Sequence, residues 1–217
     1  MPLELAQALT ASRIADLRAR LAPLFAGTTL PVTLEVGSGH GHYLTAYAQA
    51  HPERFCIGID LIPDRLERSA RKSTRAGLSN IAWLHADVRL FLEALPDNAH
   101  LAEVFILFSD PWPKRRHWKN RVVQSEFLTA LATRCAPEAR LCFRTDHAPY
   151  FSYARDIAAE HPDWRLCSEF EEPWPFELVT VFQQRADSHQ SFIARRRAGV
   201  PPVSAIEPPS TPASSSE

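Results

Sequence analysis

Short apolar runs alternate with helix-patterned stretches along most of this chain, and no other feature limits its fold as tightly. The runs VTLEV (Val32–Val36), FCIGID (Phe55–Asp60), NIAWLH (Asn80–His85), LAEVFILF (Leu101–Phe108) and ARLCFRTD (Ala139–Asp146) read as strands. The spacing between them predicts helices over His42–Ala50, Pro63–Ala76, VRLFLEAL, Gln124–Cys135 and Pro149–Glu160, with Pro63 suited to a first turn. An amphipathic helix precedes them, carried by Leu5, Leu9, Ile14, Leu17, Leu21 and Leu24 and ending near Pro23. WRLCSEF and ELVTVFQQR are expected as closing strands. Such alternation implies βαβ units and a mostly parallel α/β sheet.

In sheets of that kind ligands bind beyond the carboxyl ends of the strands. Asp60, Asp87, Asp110 and Asp146 all fall at such ends, which points to an enzyme. The turn after the first strand reads Glu35-Val36-Gly37-Ser38-Gly39-His40-Gly41. Glycines there allow a tight turn and close approach of a ligand to the backbone. A dinucleotide fingerprint would be GxGxxG, but this turn is GxGxG with His42 next, and Glu35 stands ahead of it. An acid at that place suits a positively charged ligand rather than a pyrophosphate. Asp60 is placed to take the hydroxyls of a ribose, and Asp87 to meet an adenine amino group. Together they fit S-adenosyl-L-methionine: a sulfonium, a ribose and an adenine. The competing reading makes the glycines a plain βα turn and the acids helix caps. No nucleophile elbow and no metal-ligand spacing appear, His40 and His42 included.

Composition narrows the partners. With 24 basic against 25 acidic residues the net charge is −1, so any nucleic-acid surface must be local. A local patch exists: FSDPWPKRRHWKNR (Phe108–Arg121) sets one acid, Asp110, among Lys114, Arg115, Arg116, Lys119 and Arg121. Its cations suit phosphates, while Trp112 and Trp118 either stack on a base or pack beneath the loop. The triplet Arg195–Arg197 is either a further phosphate contact or a solvated end. Cys56, Cys135, Cys142 and Cys167 form no CxxC pair, so neither a disulfide scaffold nor a zinc site is indicated. A folded unit over 1–197 and a disordered Pro/Ser-rich tail over 198–217 are expected. With no signal peptide and no apolar run of spanning length, a cytoplasmic protein without membrane association is expected.

LEVGSGHG, IGID, HADV, FSDPWPKRRHWKNR and FRTDHAPY closely resemble bacterial tRNA (guanine-N7)-methyltransferases of the TrmB type, over about Thr33 to Arg185. The resemblance implies a doubly wound, seven-stranded, Rossmann-like class I methyltransferase using S-adenosyl-L-methionine on a guanine in the tRNA variable loop. It implies that Glu35, Gly37, Gly39, Gly41, Asp60, Asp87 and Asp110 bind the cofactor, with Asp110 also catalytic. It further implies that Lys114, Asp146, Thr180 and Gln183 bind the substrate, and that Arg115, Arg116, Lys119 and Arg121 contact RNA. The chain departs from the family at Gln183, where a glutamate is usual. It departs again at Ser109, in the glycine-free turn CAPEAR, and in ADSHQSFIARRR. Two alternatives remain: a divergent methyltransferase on another RNA or a small molecule, and a non-catalytic RNA-binding protein.

Overall fold

Strand β1 (Val32–Val36) is buried at every position, its glutamate included, and β2 (Phe55–Asp60) is buried throughout. Runs without polar alternation belong to strands covered on both faces, as in parallel sheets enclosed by helices. The computed structural model, which describes residues 3–178 and 188–198, has that arrangement.

Helix α1 (Leu3–Phe25) precedes β1, and α2 (His42–Ala50) leads to β2. Then come α3 (Pro63–Arg75), β3 (Ile81–His85), α4 (Val88–Ala94) and β4 (Leu101–Leu107). A 3-10 turn (Arg115–Asn120) precedes α5 (Ser125–Arg134), β5 (Cys135–Thr145) and α6 (Ala148–Glu160), and β6 (Trp164–Cys167) and β7 (Gln190–Arg196) close the sheet. The seven strands among the described residues lie in the order β3-β2-β1-β4-β5-β7-β6. The first five pair in parallel, and β7 runs antiparallel to both β5 and β6. The fold is therefore the doubly wound, Rossmann-like α/β class expected from the sequence.

The order in which strands are added reverses between the parallel neighbours β1 and β4, where Glu35 pairs with Phe105 and Val36 with Ile106. The carboxyl ends at such a switch point form a crevice. The glycine turn after β1 and the Asp110 loop after β4 thus flank one opening.

Two apolar layers hold the sheet. The larger joins alternate strand residues such as Leu34, Ile57 and Ile106 to α1, α4, α5 and α6. The smaller lies on the opposite face, where Tyr43 and Tyr47 of α2 meet Phe105, with Trp174 and Phe176 packed alongside. Helix α1 enters the core only from Ile14 onward, and Leu3, Leu5 and Leu9 of its first turns are exposed. Cys56, Cys135 and Cys142 are buried thiols. Among the described residues no helix is long and apolar enough to cross a membrane.

Three sequence expectations need amendment. The closing strand expected over ELVTVFQQR falls largely outside the described residues, and Glu177–Leu178, which are described, lie in no strand. The observed last strand is QSFIARR, whose Phe192, Ile193 and Ala194 are buried between β5 and β6. Arg195 and Arg196 therefore belong to that strand rather than to a solvated end or a phosphate contact. Arg195 pairs with Glu172 and Glu138, and the buried Arg196 guanidinium donates to the Cys135 carbonyl at 2.7 Å. Strand β5 also starts at Cys135 rather than Ala139, so the stretch read as a turn lies within it. The tail from residue 199 lies outside the described residues.

Candidate active site

The glycine turn is built by its own backbone. The N–H groups of Gly37 and Ser38 both donate to the Ile59 carbonyl at 2.9 Å, folding the turn over the end of β2. Gly39, at φ 55°, donates its N–H to Asp60 Oδ2 at 2.9 Å. Gly41 sits at φ 64°, and a Cβ there would lie 2.5 Å from the Trp83 ring and 2.7 Å from Ser69. A side chain at that point would lift the loop off β3 and α3.

Glu35 points from β1 into this turn and is 4% exposed. Its Oε2 is buried without a hydrogen-bond partner. Burial pushes its carboxyl up to about 8. The Leu44 backbone N–H opposes that rise, Asp60 adds to it, and the Lys72 ammonium also opposes it. An unpartnered buried carboxylate oxygen is costly unless something donates to it. A ligand that brings positive charge and N–H donors answers that need.

Asp60 is nearly buried and fastens the loop. Its Oδ1 accepts from the Ile62 N–H at 2.8 Å, its Oδ2 from Gly39, and Arg65 stands 3.8 Å away. Each oxygen keeps a further lone pair for a ribose hydroxyl. Asp87 is exposed and caps α4, accepting from the Arg89 N–H at 2.9 Å through Oδ1. The capping reading thus holds for Asp87, which also borders a cleft of about 380 Å³. Leu17 of α1 and Leu61, Ala86 and Leu90 give that cleft apolar walls suited to a flat base. On these residues S-adenosyl-L-methionine fits: an acid with one unpartnered oxygen, a half-used acid and a partly apolar cleft, also lined by Arg13, Asp16 and Arg20, lie along three adjacent strand ends.

Across the switch point the chain leaves β4 through two non-glycine residues in left-handed conformation, Phe108 (φ 49°) and Trp112 (φ 44°). Between them Asp110 stands exposed, and Asp146 is exposed after β5. Backbone so constrained at a strand exit is common where side chains must be aimed. Lys114, just ahead of the 3-10 turn, and Arg115, Arg116 and Lys119 within it are exposed.

Arg121 is a correction: it is 1% exposed and turned inward. Its Nε donates to the Pro111 carbonyl at 2.8 Å, and its guanidinium lies over Trp118, Tyr153 and Tyr150 at 4.4, 4.7 and 4.9 Å. A guanidinium in an aromatic cage braces the loop rather than meeting a phosphate. Trp118 belongs to the same packing, 5.5 Å from Tyr153, and Trp112 lies edge-on to His117. Both tryptophans therefore take the packing alternative. Thr180 and Gln183 lie outside the described residues.

Sequence reasoning passed over a second cluster. Arg144, at the end of β5, makes a bidentate pair with Glu177 at 2.7 and 2.9 Å, lies 4.0 Å over Trp174 and donates to Ser191. The pair holds Glu177 below its ordinary carboxyl range. The cluster borders a cleft of about 690 Å³ at the ends of β5 and β7. Its only trace in the sequence is the second PWP tripeptide, which packs Trp174 here. Among the described residues no three His, Cys, Asp or Glu side chains group as a metal would require.

Residues 29–195 match a family model described as "Putative methyltransferase" (Methyltransf_4). The tRNA (guanine-N7)-methyltransferase of Magnetococcus marinus is 38% identical over 163 residues, covering 73% of this chain and 64% of that protein. The Listeria welshimeri protein of the same name is 34% identical over 147 residues, covering 67% of each. The chain thus spans just under two thirds of the first relative's length and about two thirds of the second's. Among solved structures, the 16S rRNA methyltransferase KamB superposes with a TM-score of 0.54 at 21% identity, covering 77% of this chain and 88% of that one, a likeness of fold.

Proposed function

This chain belongs to the bacterial tRNA (guanine-N7)-methyltransferase family, and we propose that it transfers a methyl group from S-adenosyl-L-methionine to N7 of a guanine in the tRNA variable loop. The observation that carries the reading is Glu35: a buried acid with one unpartnered oxygen beneath a glycine turn, facing across the switch point a loop that joins one acid to four exposed cations.

The donor supplies an electrophilic methyl on a sulfonium. Everything else falls to this chain's residues. Glu35 offsets the donor's positive charge, Asp60 accepts from ribose hydroxyls, and Asp87 accepts from the adenine amino group. Guanine N7 carries an in-plane lone pair and no proton, so no strong base is required. The task is alignment, with stabilisation of the positive charge that grows on the base. Asp110 orients the guanine and stabilises that charge, and Asp146 accepts from its N–H edge. Lys114, Thr180 and Gln183 complete the substrate side. Arg115, Arg116 and Lys119 hold phosphates. A tRNA substrate implies a cytoplasmic protein.

The test is incubation of the full chain with unmodified tRNA and methyl-labelled S-adenosyl-L-methionine, followed by mapping of the modified base. Label at guanine N7 in the variable loop is expected, and Asp110→Asn should lower the rate by about 100-fold or more. Label absent from tRNA, or at another atom, overturns the reading. Gln183→Glu, run in parallel, reports whether the neutral side chain changes the base accepted.

A further inference from the structure

Helix α3 grips the glycine turn from the side opposite β1, and the reading above gives it no role. Ser69 and Lys72 lie three residues apart and so share one face of α3. The Ser69 hydroxyl, which lies 2.9 Å from the Arg65 carbonyl of its own helix, also reaches within 3.3 Å of the Gly39 carbonyl, and the Lys72 ammonium donates to the His40 carbonyl at 2.8 Å. Gly41 approaches the same face so closely that only a glycine fits. Lys72 is half-buried, and one of its three N–H donors is spent on His40. Its charge acts on the buried Glu35 across the turn, and each group favours the ionised form of the other.

We propose that Lys72 is a positioning residue for methyl-donor binding, which fixes the turn through the His40 carbonyl and biases Glu35 towards the anion that a cationic ligand requires. This role rests on the methyl-donor reading of the site. Two effects compete at Glu35. Burial favours the neutral acid, which cannot balance a sulfonium or an ammonium, and Lys72 favours the carboxylate. With its carboxyl pushed up to about 8, Glu35 must shed a proton to receive a cation at neutral pH. The Glu35 contribution to donor affinity therefore climbs as pH rises towards that value, by at most about tenfold per unit, and the donor's own ammonium, common to parent and variants, opposes it as it loses its proton. Removal of Lys72 raises the Glu35 carboxyl further and moves the climb to higher pH.

Among the described residues, Asp60, Tyr43 and Cys56 also act on or near Glu35. Asp60 faces it from β2, and its charge raises the Glu35 carboxyl. Burial pushes the Tyr43 phenol of α2 far up and the Cys56 thiol of β2 up to about 12. The turn's own imidazoles, His40 and His42, are removed by His40→Gln and His42→Gln so that the response belongs to Glu35 and Lys72.

In that background, calorimetry with S-adenosyl-L-methionine is run from about pH 6.5 to about pH 9, a range that brackets the Glu35 transition. Lys72→Met is expected to weaken binding about tenfold near neutrality, with the deficit shrinking as pH rises. Lys72→Arg keeps the charge and is expected to remain within about threefold of the parent. Lys72→Gln keeps a donor for the His40 carbonyl without the charge, and should share the pH-dependent loss. Unchanged binding in Lys72→Met, an equal loss at every pH, or full binding in Lys72→Gln overturns the role. If the parent chain binds no S-adenosyl-L-methionine, the methyl-donor reading falls as well. Parent binding with an indifferent Lys72→Met removes only the role of Lys72.

Discussion

Glu35 leaves a signature on stability that is independent of any substrate. Its folded-state carboxyl, at about 8, lies above the ordinary value of 4.5. Between those values the folded chain keeps a proton that the unfolded chain has released, so this residue makes stability fall as pH rises. The slope is at most about 1.4 kcal/mol per pH unit. Urea melts across the window, without donor, should show that fall, and Glu35→Gln should flatten it. A slope unchanged by the substitution removes the buried acid as its cause. The sequence makes Glu35 legible as an acid ahead of a glycine turn. Its burial and its orphaned oxygen are not legible there, because both depend on how α2 and α3 close over β1.

Element boundaries came through where the pattern was strong and failed where one residue broke a local rule. Strands β1 and β2 and helix α2 have the limits their residues predict, since each is a clean apolar or helical run between turn residues. The start of β5 does not, and Glu138 shows why. The chain there takes a left-handed conformation, φ 60°, at the place where the resemblance leads one to expect a glycine. The register of β4 against β5 also shifts nearby, between Leu101 and Glu103. A left-handed non-glycine residue costs about 1–2 kcal/mol. Glu138→Gly relieves that strain at some cost in chain entropy and gives up one long ion pair with Arg195, which Glu172 still holds. A net gain of about 0.5–1 kcal/mol is expected in denaturant unfolding. A net loss would mean that the ion pair outweighs the strain. Strand β7 escaped notice because Arg195–Arg197 disguise its apolar middle as a charged tail.

Over the whole molecule acids and bases nearly cancel, yet the exposed cations of the 3-10 turn gather on the rim that holds Asp110. Affinity for tRNA should therefore fall with salt, by about 0.7–0.9 in log K per log salt for each phosphate neutralised. Replacing Arg115 and Arg116 together by alanine should reduce that slope by about 1.4–1.8 and leave donor affinity unchanged. An unaltered slope would place the RNA elsewhere. The sequence reveals this patch but not its division of labour: five cations look alike in one dimension, and only packing turns Arg121 inward beneath Trp118. Packing also gives Gly41 its partner. The Trp83 ring that excludes a side chain at Gly41 excludes one at Gly58 too, and its indole N–H is tied to Ser73 of α3. Trp83 lies on β3, the outermost parallel strand of the sheet. One indole is thus wedged between the glycine turn and an edge strand of the sheet. A ligand that steadies the turn should therefore slow amide exchange along β3, so that occupancy at the centre of the molecule is read as protection at its border.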